Sequence, residues 1–164
     1  MKRILPMFLC VCCVFMLLLP VFAAGNAAES SAFTIQVGLD KKALSLDGLP
    51  RQPYREGDAL MVPLRRIAEA LGYQVDWDGK TGAITVDDNY IQRATLHNGT
   101  AQVVFDSHLK VIDMSRTIDN AAPTVIHDGV TYVPLDFFME FFNDVSETDG
   151  LICIAPSMSE LAAE

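Results

Sequence analysis

Val62-Pro63-Leu64-Arg65-Arg66-Ile67-Ala68-Glu69-Ala70-Leu71-Gly72 reads VPLRRIAEALG, and Val133 to Asn143 reads VPLDFFMEFFN. In the first stretch Leu64, Ile67, Ala68 and Leu71 fall at i, i+3, i+4 and i+7, one face of a 3.6-residue period. Leu135, Phe138, Met139 and Phe142 fall at the same offsets in the second. Proline opens each stretch where a missing N–H costs nothing. Gly72 and Asn143 follow the last apolar residue, and both types tolerate the left-handed conformation of a helix C-cap. The pattern predicts two short α-helices and an internal duplication.

The flanks repeat as well. Glu56-Gly57-Asp58 and Asp128-Gly129 separate β-rich runs before each helix. Asp78-Gly79-Lys80-Thr81-Gly82 and Thr148-Asp149-Gly150 do so after it. Asp-Gly between β-rich runs signals a type I′ hairpin, which needs positive φ at both central residues. Each unit therefore reads hairpin, helix, hairpin, at about 50–88 and 121–155. A central hairpin region at 89–113 turns at Asn98-Gly99, another I′ pair, and a strand at Leu109–Ile112 is expected to pair with Val103–Phe105. Phe33–Val37 and Ala43–Leu46 form a further pair at the front. The predicted fold class is α+β: short, twisted antiparallel strands packed around two short helices. A helix of two or three turns does not stand alone in water, so each is expected to pack its stripe on its own hairpins.

Lys2 and Arg3 precede an apolar run from Ile4 to Phe22, and small residues follow from Ala23 to Ala28. That order is expected of a secretory signal peptide, here 1–27, with an uncleaved anchor as the alternative. Three of the four cysteines lie in this leader, which leaves Cys153 in an apolar strand and no partner for an internal disulfide. The expected location is secreted or attached to the cell envelope, with no membrane contact after cleavage. The chain carries −9, of which Lys2 and Arg3 contribute +2, so the remainder stands at about −11. Such a charge disfavours nucleic acid and anionic surfaces. Residues 156–164 read as an acidic tail.

Gly57, Val62-Pro63-Leu64-Arg65, Ile67-Ala68-Glu69-Ala70-Leu71-Gly72, Val75, Trp77-Asp78, Ile84 and Val86 together resemble the copper amine oxidase N-terminal-like, or stalk, domain of exported Gram-positive proteins. The second unit matches at Gly129 and Val133-Pro134-Leu135, and departs where Asp136 and Asn143-Asp144 replace the arginine and the glycine pair. The resemblance covers about 33–155. It implies a helix wrapped by a short twisted sheet, no catalysis and no copper cofactor, since the oxidase chemistry belongs to a separate domain.

The residues agree with that implication. Ile91 follows Asn89-Tyr90 where a cofactor tyrosine would need an acidic neighbour, so Tyr90 is expected in a strand. His97, His108 and His127 lie at or beside turns without metal-ligand spacing. Trp77 within Asp76-Trp77-Asp78-Gly79 has two readings, a carbohydrate platform and a core residue, and its alternation with Val75 favours the core. Arg65 opens its helix four residues before Glu69, and a local ion pair or a carboxylate partner on a strand is expected in preference to anion capture. Phe137 and Phe141 widen the apolar arc of the second helix and face either the core or a partner. The expected role is a non-catalytic exported stalk or interaction module. The alternative is a binder of cell-wall glycan or peptide, or of an exported protein partner, acting through Trp77, Tyr73, Phe137 or Phe141.

Overall fold

Positive-φ residues punctuate this chain at short intervals, and strands reverse between them. The computed structural model describes residues 33–109 and 115–157; the expected leader and nearly all of the expected tail lie outside them. Strands β1 (Thr34–Val37) and β2 (Lys42–Leu44) form the first hairpin. Strands β3 (Tyr54–Glu56) and β4 (Ala59–Pro63) form the second, which runs straight into helix α1 (Leu64–Ala70). A meander follows: β5 (Gln74–Trp77), β6 (Ala83–Asp87), β7 (Gln92–His97), β8 (Gln102–Ser107) and β9 (Ser115–Asp119). Strands β10 (Val125–His127) and β11 (Val130–Pro134) lead into a 3-10 helix (Leu135–Phe141), then β12 (Asn143–Thr148) and β13 (Leu151–Pro156).

These strands form three sheets, ordered β12-β13-β1-β2, β10-β11-β4-β3 and β5-β6-β7-β8-β9. The α+β expectation is therefore corrected. The described chain is a β-rich fold whose two helical segments are single short insertions between strands. Pairing is antiparallel except for β1 against β13. The single sheet around a helix that the resemblance implied is likewise replaced by three.

The central sheet joins the two VPL stretches to each other. Val62 pairs with Val133, Pro63 with Tyr132 and Met61 with Pro134. Val62 thus meets its own counterpart, and the flanking pairs are related to each other by a local two-fold between the two valines. Helix α1 packs against β11, and the 3-10 helix packs against β4. Each helical segment also packs on its own unit, α1 on β5 and the 3-10 helix on β12, as expected, so each is shared between its own hairpins and the other unit's. The apolar residues gather into one main cluster drawn from all three sheets, including Ile35, Val62, Leu64, Ile67, Phe105, Phe138 and Ile152.

Helix α1 follows the 3.6-residue reading: Leu64, Ile67 and Ala68 are buried. It ends in a Schellman arrangement. Tyr73 N–H donates to Ala68 C=O at 2.8 Å and Gly72 N–H to Glu69 C=O at 3.0 Å, with Gly72 at φ +85°. The second helix departs from its reading. It winds as a 3-10 helix, three residues per turn, so Leu135, Phe138 and Phe141 align and Phe137 packs beside them. Met139 and Phe142, expected on the stripe, are exposed instead. Its left-handed cap is Phe142 at φ +57° and not Asn143, a conformation that strains a non-glycine residue.

The Asp128-Gly129 and Asp149-Gly150 turns have positive φ at both residues, as the type I′ reading requires. At Asn98-Gly99 only Gly99 is positive, so that turn is type II. The Asn98 carboxamide instead accepts the Ile126 N–H at 3.1 Å. Strand β8 takes β9 as its outer partner. Of the pair expected at Leu109–Ile112, only Leu109 lies among the described residues, and it is in no strand.

Candidate binding cleft

Strand β5 is an edge of the meander sheet. Its Val75 side chain is buried, while Trp77, two residues on, is 63% exposed. Alternation placed the two on one face correctly. The expected core position of Trp77 fails because no element covers the end of the strand, where the chain turns away at Asp78. That turn is held by the Asp78 carboxylate, which accepts Lys80 N–H and Thr81 O–H, each at 2.8 Å. Those bonds, Lys80 foremost, hold its carboxyl below the usual value.

The indole of Trp77 lies over Gly79. A Cβ at Gly79 would sit 3.4 Å from Cη2 and Cζ3 of the ring. Gly79 is the one described glycine without positive φ, and the ring packs against it at van der Waals distance. Alanine fits at that distance and a branched side chain does not. Gly79→Val is expected to lift the ring and shift its fluorescence, while stability changes by less than about 1 kcal/mol. Trp77 is the sole tryptophan, so emission reports on this position alone; an unmoved spectrum would refute the packing argument.

Trp77, exposed as it is, lines a cleft of about 410 Å³. Leu49, Leu64, Val75, Ile84, Ile126 and Val130 supply its apolar lining, and Arg65, Arg66 and Glu69 its polar wall. Arg65 pairs with Glu69 at 3.3 Å, as expected. Its Nη1 also donates to the Val75 carbonyl at 2.7 Å, which covers part of the open edge of β5. Arg66 donates to the carbonyls of Ser45 and Asp47.

The other sequence candidates lie elsewhere. Phe137 and Phe141 are in the core, at 0% and 4% exposure. Tyr73 is half-buried against Phe141, with ring centroids 5.2 Å apart, and its hydroxyl bonds to Asn143. Burial pushes its pKa up. The four candidates therefore do not form one site. Tyr90, expected in a strand, sits in a tight exposed loop whose N–H groups at Tyr90, Ile91 and Gln92 all donate to the Asp88 carboxylate. The Arg65–Glu69 pair was expected, but its place on the wall of a cleft beside Trp77, and the packing of the ring on Gly79, escaped the sequence reading. An aromatic residue two positions before a glycine at a strand end was the available signal.

The fold also brings together Asp87, Asp88 and His108, whose ligand-type atoms lie within 4.8 Å of one another. Internal bonds account for them. Asp87 accepts from Asn89 N–H at 2.7 Å, Arg93 at 3.0 Å and His108 at 2.8 Å. Burial raises the pKa of Asp87, but these donors outweigh it and hold the value below the usual range. A depressed folded pKa stabilises the protein above the unfolded value and loses that stabilisation as pH falls through the folded one. Asp87→Asn is thus expected to lower Tm at pH 7, and the gap from wild type to narrow below about pH 4. Melts across pH check this; a gap that stays constant refutes it.

The family described as copper amine oxidase N-terminal domain matches residues 39–150. A curated "Protease inhibitor" from Brevibacillus choshinensis is 31% identical over 104 residues. The match covers 63% of this chain and 29% of that protein, so the chain spans less than a third of that relative's length. No solved structure matches.

Proposed function

This chain belongs to the copper amine oxidase N-terminal domain family, a family of non-catalytic domains, and from that premise we propose that it is an exported binding module of the cell envelope, with its partner held in the Trp77 cleft. One observation carries the reading. The sole tryptophan is 63% exposed, with its ring against Gly79, and lines a concave apolar site. A large aromatic held in place in such a site gives contact area at low entropic cost. Export is supported by the order of charge, apolar run and small residues at 1–27.

The test is co-sedimentation of the full-length chain with purified wall sacculi across salt concentrations, wild type beside Trp77→Ala. Salt-resistant binding that falls about tenfold in Trp77→Ala supports wall recognition through the cleft. No binding by wild type moves the search to exported proteins. The name of the Brevibacillus choshinensis relative favours a second reading, in which the partner is a protease. Inhibition of a protease panel by wild type and not by Trp77→Ala would support it.

A further inference from the structure

On the reading that the Trp77 cleft is a binding site, we propose that its ligand is an acidic peptide. It sets an apolar side chain on the cleft lining beside Trp77 and a carboxylate on Arg65. Two observations define that chemistry.

The first is how Arg65 is held. A guanidinium carries five N–H groups in a rigid plane. Both bonds that Arg65 makes, to the Val75 carbonyl and to Glu69, come from Nη1. Nε and Nη2 make none among the described residues, and Arg65 is exposed. Nε–H and one Nη2–H run parallel on the edge away from Nη1, the fork that fits both oxygens of a carboxylate. The Val75 carbonyl fixes the plane of the group, so the fork is oriented before any ligand arrives. Arg66 lies on the same wall, and the two arginines outnumber Glu69. The wall is therefore locally positive in a chain of net charge −9. That net charge opposes long-range steering of an anion, so recognition rests on contact within a Debye length of about 8 Å at physiological salt.

The second is the lining. The side chains of Leu49, Leu64, Val75, Ile84, Ile126 and Val130 offer no hydrogen bonds to a ligand, and away from Trp77 and the Arg65–Glu69 wall only the Thr131 hydroxyl does. A sugar ring seated there would leave its hydroxyls unpaired at a cost, whereas a leucine-sized side chain would not. The apolar lining favours an apolar side chain over a sugar ring on that part of the cleft, and the fork selects the carboxylate.

The test uses Trp77 emission of the full-length chain, titrated with acetyl-Leu-Glu-Leu-Glu-Leu-amide, its glutamine twin and chitohexaose. The glutamate peptide is expected to bind about tenfold tighter than the twin. Arg65→Lys keeps a donor for the Val75 carbonyl but has no fork, and is expected to abolish that preference. Glu69→Gln, at an exposed position, removes the competing carboxylate and is expected to strengthen the glutamate peptide. Equal binding of the twins, or a preference that survives Arg65→Lys, overturns the carboxylate assignment while the shared response leaves the cleft reading standing. A response to chitohexaose alone overturns the peptide class. Emission unmoved by every probe overturns the proposal together with the reading beneath it.

Discussion

Phe137→Ser is expected to cost more than about 4 kcal/mol and to abolish the cooperative melt of a marginal domain. Truncating a buried phenylalanine costs about 3–5 kcal/mol through lost burial and the cavity left behind. A serine hydroxyl without a partner adds about 1–3 kcal/mol. The site offers little room to collapse. Phe137 is fully buried, with ring centroids 5.3 Å from Phe138, 5.5 Å from Phe141 and 6.3 Å from Phe105. Phe105 in turn meets Phe141 at 5.5 Å and is capped by the Arg116 guanidinium at 4.4 Å. The cluster bridges the 3-10 helix to the meander sheet, so its loss separates layers. Ordinary domains are stable by about 5–15 kcal/mol, and the substitution removes a large share of that. Phe142→Ser is the contrast, since that ring is 52% exposed, and a change within about 1 kcal/mol is expected. Urea unfolding measures both. A wild-type midpoint for Phe137→Ser together with lost partner binding would move Phe137 from core to interface.

The same residues show what was legible in the sequence. Phe137 and Phe141 announced a wider apolar arc, but the stripe was drawn with a 3.6-residue period. The segment winds with a period of three, which exchanges Phe141 for Met139 and Phe142 on the buried face. Periodicity over seven residues does not separate the two windings, and aromatic residues lower α-helical preference. Turn chemistry was legible where the demand is local. Asp128-Gly129 and Asp149-Gly150 adopt the expected backbone because nothing else competes for them. Asn98 departs because its carboxamide is recruited by Ile126, 28 residues away. The pairing of Val62 with Val133 is of the same kind: each hairpin is local, but which hairpins share a sheet is decided by long-range packing. At Trp77 alternation gave the face, and burial depended on whether another element lay above it. The cleft was therefore half-legible, through one aromatic residue whose position needed the fold.

Asn143→Leu carries the second large effect, about 2–4 kcal/mol, although both side chains branch at Cγ and have the same number of heavy atoms. Asn143 is buried, and its Nδ2 donates to the Phe138 carbonyl at 2.9 Å and approaches the Phe141 carbonyl at 3.4 Å. It also meets the Tyr73 hydroxyl at 3.0 Å, while its Oδ1 accepts from that hydroxyl at 3.3 Å. The carboxamide thus caps the end of the 3-10 helix that Phe142 leaves open. Through Tyr73 it reaches the residue whose N–H closes helix α1. Leucine would leave the buried Phe138 carbonyl and the half-buried tyrosine hydroxyl without these partners, and each lost partner costs about 1–3 kcal/mol. Tyr73→Phe alone is expected to cost about 1 kcal/mol, because the carboxamide keeps its carbonyl partners. The two changes touch one network, so their costs should not add. A double-mutant cycle is expected to show a coupling of about 0.5–3 kcal/mol. Coupling near zero would mean that Asn143 serves only its own helix end. A coupling in the expected range would mean that the C-termini of both helical segments are fastened at one buried carboxamide, one from each of the stretches that begin Val-Pro-Leu.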